Sequence, residues 1–319
     1  MPTVAVISAS GGAGKTTVAL ALAYYAAHTL ADPRSVLIVD LDPTAGLTLR
    51  ALGDSGYGDL CQQGKTLYHM DLDFDRGRRV DVEKYATRPG PAAKAISNVA
   101  LLPPGEDDEG DLAARVEKWF LFGGRDRLAK LLKESQALER YSHVVIDTAP
   151  FFDVRYTVAA VAAADVAVVT LRPTVTEITR TIRMLRRLRS AGIEIKPLAL
   201  FNYDPGRLVR ETSTLRELGF KIPGRSSAHP DQKLRQLVER LTAEATPIKT
   251  VLQYKRELTD LEFPRTSSDK LDLIICPRGR RDLQTPKPTP TRMPRHLRRR
   301  VTTHPPHPTN KTQKTHLPP

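Results

Sequence analysis

A glycine-rich stretch near the start of the chain, Ser8-Ala9-Ser10-Gly11-Gly12-Ala13-Gly14-Lys15-Thr16-Thr17, narrows what the protein can fold into. It follows Thr3-Val4-Ala5-Val6-Ile7, a β-branched run that predicts a buried strand. It precedes Val18 to Ala27, an apolar, alanine-rich run that predicts a helix. Strand, glycine loop, Gly-Lys-Thr and helix make the layout of a P-loop. Glycine lets backbone N–H groups turn inward around a phosphate with no Cβ in the way. The helix N-terminus adds unpaired N–H groups and a partial positive charge. Lys15 supplies a full charge to the β- and γ-phosphates, and the Thr16 hydroxyl can ligate Mg²⁺. Gly11, Gly12, Ala13, Gly14, Lys15, Thr16 and Thr17 are therefore the expected nucleotide-binding residues.

Two further stretches follow the same logic. Ser35 to Val39 reads as a second buried strand, ending in Asp40-Leu41-Asp42-Pro43-Thr44. Open α/β sheets bind ligands at the C-terminal edge of parallel strands. Alternate residues on a strand point the same way, so Asp40 and Asp42 can face one site. Tyr141 to Ile146 is a further apolar strand, closed by Asp147-Thr148-Ala149-Pro150. That is a Walker B arrangement, with Asp147 expected to hold a water of the Mg²⁺ shell.

Taken in order, Gly-Gly-Ala-Gly-Lys-Thr, Asp-Leu-Asp-Pro and Ile-Asp-Thr-Ala-Pro resemble the motifs of the ParA/MinD family of deviant Walker ATPases, most closely the ParA-type DNA-partition members. The resemblance implies a P-loop fold: an α/β domain with a mostly parallel sheet and helices on both faces, covering about residues 1–265. It implies ATP and Mg²⁺ as cofactors. Asp40 would organise the P-loop and the Mg²⁺ shell, so Thr16, Asp40 and Asp147 form the expected metal set. Lys15 and Asp42 are the expected catalytic pair, Asp42 positioning the attacking water. The loop after one later strand contacts adenine in such ATPases, which makes Asn202 a candidate; an amide capping a turn is the other reading of it. Two positions depart from the family pattern. Ser10 stands where a second lysine normally reaches across a dimer, and Thr44 stands where a glutamine is usual.

The expected activity is Mg²⁺-dependent ATP hydrolysis with a weak basal rate. The implied partners are a second copy of the chain on ATP binding, DNA bound without sequence preference, and a centromere-binding adaptor that stimulates hydrolysis. A MinD-like positioning role on a membrane is the alternative, but no amphipathic C-terminal helix supports it. A nucleotide-binding interaction module with little hydrolysis is a third reading, kept open by Ser10.

Charge bears on the partner. The formal net charge is +13, and residues 278–319 carry eleven Lys/Arg against one acid, so most of it lies in a Pro/Arg/His-rich tail. That composition predicts disorder. Within the folded part, the helix Thr176 to Ser190 carries Arg180, Arg183 and Arg187 on one face, with Arg186 and Arg189 adjacent and no acid in the run after Glu177. Such a face either binds DNA phosphates or is simply solvated. Cys61 and Cys276 form no paired motif, and the chain opens straight into its first strand, so a reducing, cytoplasmic and nucleoid-associated location is expected. Helices are also expected at Leu208 to Leu218, Gln232 to Leu241 and Ile248 to Leu261, with an edge strand or linker at 266–277.

Overall fold

The computed structural model describes residues 2–29, 35–88, 98–222 and 228–253. In chain order the strands are β1 (Thr3–Ile7), β2 (Val36–Asp40), β3 (Val99–Leu102), β4 (Glu106–Asp107), β5 (Gly110–Asp111), β6 (His143–Asp147), β7 (Val166–Leu171), β8 (Leu198–Tyr203), β9 (Thr246–Pro247) and β10 (Leu252–Gln253). The helices are α1 (Lys15–Thr29), α2 (Gly46–Gln62), α3 (Leu67–Asp75), α4 (Leu112–Leu121), α5 (Arg127–Glu134), α6 (Ala137–Arg140), α7 (Val154–Ala162), α8 (Val175–Ser190), α9 (Val209–Glu217) and α10 (Gln232–Glu244).

The main sheet runs β10-β8-β7-β1-β6-β2-β3, with β9 also beside β8. Among the described residues, the pairings of its strands are parallel. β4 and β5 form a separate antiparallel pair. Strands buried on both faces must be apolar throughout, which β2 is apart from its terminal Asp40. Ala5 and Ile7 join the core on one face, with Leu37 and Val39 and residues of α3 to α10. Val6 joins the core on the other, with Val36 and Ile38 and residues of α1 and α2. Helices thus cover both faces, as the sequence implied.

Register decides what meets at the sheet's C-terminal edge. Val6 lies beside Asp147, and Asp40 beside Asp147 as well. On the far side, Leu171 lies beside Phe201, so Arg172 and Asn202 leave adjacent strands together. The chain enters α8 through Thr174, whose hydroxyl accepts the backbone N–H of Glu177 at 3.3 Å. Thr174 and Glu177 have the spacing of a capping box.

Within residues 53–88, α2 continues through Gly53, where φ is 74° and the helix kinks, and α3 follows. One expectation changes. The helix expected from Ile248 does not start there. Residues 246–253 run along β8 instead, with the Thr246 N–H donated to Pro197 O at 2.8 Å and the Ile248 N–H to Ala199 O at 2.8 Å. An open strand edge offers unpaired backbone groups, and Pro247 is tolerated there because an edge residue can spare its N–H. The remainder of that expected helix, the strand at 266–277 and the basic tail lie outside the described residues.

A buried charge network ties α3 to α4 and α5. Asp71 is fully buried and accepts from Arg115 Nε at 2.5 Å, Trp119 Nε1 at 3.0 Å and Arg127 Nε at 2.6 Å. Asp75 accepts from the same two guanidinium groups and from Lys118. Removing one partner of such a set strands the others without water, so Asp71→Ala is expected to cost about 3–5 kcal/mol in urea unfolding. A loss under about 1 kcal/mol, the size of an exposed pair, would show that the network does not hold these helices.

Candidate active site

The glycine loop lies between the end of β1 and the start of α1, with Gly12 and Gly14 at φ of 69° and 86°. Those angles need glycine. At Gly14 space forbids a side chain as well, since a Cβ there would stand 2.0 Å from Asn202 Nδ2. The Asn202 amide donates to Ala13 O at 3.1 Å. Asn202 is therefore at the site, with one N–H spent on the loop.

Lys15 is buried, and its ammonium donates to Ser8 Oγ at 3.0 Å. The Ser8 hydroxyl in turn donates to Ser10 O at 2.7 Å, which braces the turn from inside. Burial lowers the Lys15 pKa, while the charges of Asp147, Asp42 and Glu177 oppose that shift.

Asp147 is almost fully buried, and burial together with the neighbouring Asp40 pushes its pKa up to about 8. A hydrogen bond from Thr16 and the charge of Lys15 work the other way. Asp40 is fully buried, and burial raises its pKa to about 7 against hydrogen bonds from Thr48 and Asp42. Its Oδ2 accepts from Thr48 N at 3.0 Å and Thr48 Oγ1 at 2.7 Å, and its Oδ1 from Asp42 N at 3.2 Å. Asp40 thus grips the segment that carries Asp42 and the first turn of α2. Asp42 is only partly buried, and its Oδ1 accepts from Thr44 N at 3.0 Å and Thr44 Oγ1 at 2.7 Å. Thr44, in the glutamine position, orients that carboxylate directly.

The residues present fit Mg²⁺. Two buried carboxylates side by side, with the Thr16 hydroxyl on one of them, form a hard oxygen donor set short of positive charge. Among the described residues no group of three or more His, Cys, Asp or Glu could hold a metal alone. Mg²⁺ needs no such cage, because it takes one or two protein oxygens, waters and substrate phosphates.

The expected arginine row divides. Arg180 points back to the loop, its Nη1 donating to Ser10 Oγ at 3.4 Å. Arg183 and Arg187 are exposed. Arg186 and Arg189 do have an acid partner, contrary to the reading from sequence. Glu244, from α10, accepts from Arg186 Nε at 2.9 Å and lies 2.8 Å from Arg189 Nη2. That pairing was invisible along the chain because α8 and α10 meet only on packing. Arg172 was also missed as a site residue, and its Nη2 donates to Gly12 O at 2.6 Å. Its place just past a strand next to β1 is the signal that could have found it.

The parallel sheet and the glycine loop with its lysine define a P-loop NTPase fold. A family model described as an AAA domain matches residues 1–194, and the chain belongs to that family, in its ParA/MinD branch of P-loop ATPases. No curated protein sequence matches it. Among solved structures, apo McdA of Cyanothece is similar at 20% identity and a TM-score of 0.60, covering 86% of this chain and 94% of that one. A ParA family ATPase from Chlorobium tepidum TLS is similar at 15% identity and a TM-score of 0.55, with 87% and 94% covered. MinD of the MinC:MinD complex from Aquifex aeolicus gives 20% and 0.53, with 83% and 85% covered. Among the described residues no helix is long and apolar enough to cross a membrane.

The buried acids make a pH prediction for the ligand-free protein. Asp147 takes its proton near pH 8 when folded and near 3.8 when unfolded. Between those values the folded state binds more protons, so stability falls as pH rises. Thermal unfolding should come at a higher temperature at pH 6 than at pH 8, by less in Asp147→Asn. An equal pH response in the variant would remove Asp147 as the cause.

Proposed function

We propose that this chain is a Mg²⁺-dependent ATPase of the DNA-partition type. The observation that carries the reading is the convergence of Lys15, Thr16, Asp42 and Asp147 on one glycine loop. Nucleotide and Mg²⁺ fit with what similar folds hold: a Cyanothece McdA structure is an ATP complex, and a MinD from Pyrococcus horikoshii OT3 is complexed with Mg-ADP.

The loop's N–H groups and the N-terminus of α1 receive the phosphates, and Lys15 offsets their charge. Mg²⁺, when bound, neutralises charge that develops on the β- and γ-phosphates. Thr16 and Asp147 would hold it, directly or through water, with Asp40 behind Asp147. Asp42, steadied by Thr44 and tied to Asp40, accepts a hydrogen bond from the attacking water and aims it in line. Catalysis on this scheme is positioning and electrostatics, with no covalent intermediate on the protein. In the same reading, ATP pairs two copies of the chain, the pair binds DNA without sequence preference, and an adaptor triggers hydrolysis and release.

Two outcomes test the chemistry. Lys15→Ala should lose ATP binding by calorimetry while keeping its circular dichroism spectrum. Asp42→Ala should still bind ATP but release no phosphate; failure to bind would move Asp42 into the binding shell.

The DNA surface is tested separately. Arg183 and Arg187 are the exposed arginines left on α8 once Arg180, Arg186 and Arg189 are accounted for. If each contacts a phosphate in both copies of the pair, alanine at either should lower the slope of log affinity against log salt by about 1.8, roughly 0.9 per contact. The loss should be seen with ATP and should not depend on DNA sequence. An unchanged slope in the double variant would make this face a solvated one.

A further inference from the structure

Ser10 leaves the opening of the loop without a cation of its own. Two arginines from distant sequence stand there instead. Arg172, at the end of β7, donates to Gly12 O at 2.6 Å, and a Cβ on Gly12 would lie 3.0 Å from that nitrogen. Arg180, in the second turn of α8, reaches Ser10 Oγ at 3.4 Å. Both residues are exposed, so neither charge is spent on burial. A guanidinium carries five N–H donors, and these contacts among the described residues use one on each. A planar fork of this kind can grip phosphate oxygens in pairs. Glu177 lies one turn before Arg180 on the same helix.

We propose that Arg172 and Arg180 bind the outer phosphates of a nucleoside triphosphate from within the same chain, supplying the charge that Ser10 does not. Arg172 does this while holding Gly12 in place, which couples the β7–α8 junction to the loop. Arg180 then belongs to the nucleotide site and not to the DNA surface. The inference rests on the nucleotide reading above.

Calorimetry of the full chain with Mg²⁺ and either ATP or ADP tests it, with circular dichroism to check folding. Arg172→Ala and Arg180→Ala should each weaken ATP binding about tenfold or more, the size of a lost charge-assisted contact, and ADP binding by clearly less. Arg180→Lys, which keeps the charge and most of the reach but loses the planar fork, should retain more ATP affinity than the alanine variant. Wild-type ATP affinity in both alanine variants, with binding lost in Lys15→Ala, would overturn this inference and leave the nucleotide reading standing. Equal losses for ATP and ADP would also overturn it, since the arginines would then only shape the loop. No ATP binding by the unaltered chain would overturn the nucleotide reading itself.

Discussion

The site depends on one arrangement: a buried lysine that shares its surroundings with buried carboxylates. Lys15 and Asp147 are both nearly inaccessible, and each opposes the cost of burying the other. Asp40 works against that balance, because it lies beside Asp147 and raises its pKa. Burial and mutual proximity thus hold protons on these two acids in the ligand-free protein. A divalent cation favours their charged form, so its binding is coupled to proton release.

Parallel pairing makes the arrangement possible. β1, β2 and β6 end level with one another, so three separate segments deliver their C-terminal residues to one edge. The apolar strands and the helices on both faces hold those ends rigid. The Thr16 and Lys15 side chains then need only the first turn of α1 to reach the acids. Thr48 at the start of α2 plays the same part for Asp40, and through it for Asp42.

The second level of order lies at the start of α8. Thr174 caps the helix where it leaves β7, and two turns on Arg180 reaches the loop while Arg183 and Arg187 are exposed. Farther along, α10 supplies Glu244 to Arg186 and Arg189. One helix therefore serves the loop, the surface and the core packing through successive arginines.

Local chemistry was legible in the residues themselves. Gly12 and Gly14 declare a backbone that no other residue adopts cheaply, Lys15 and Thr16 declare phosphate and metal chemistry, and apolar strands ending in Asp40 and Asp147 declare a sheet edge. Such signals are short in range, so sequence order alone carried the P-loop, the parallel α/β class and the acids of the site. The roles of Arg172, Arg180, Glu177 and Glu244 could not be read that way. Their partners lie far off along the chain, and only strand register and helix packing set those distances. The Ile248 expectation failed for the same reason: an open edge of β8 claimed backbone groups that local preference alone would have assigned to a helix. Tertiary structure decided which of many similar arginines faces a phosphate loop, because charge is written in the sequence but its neighbours are not.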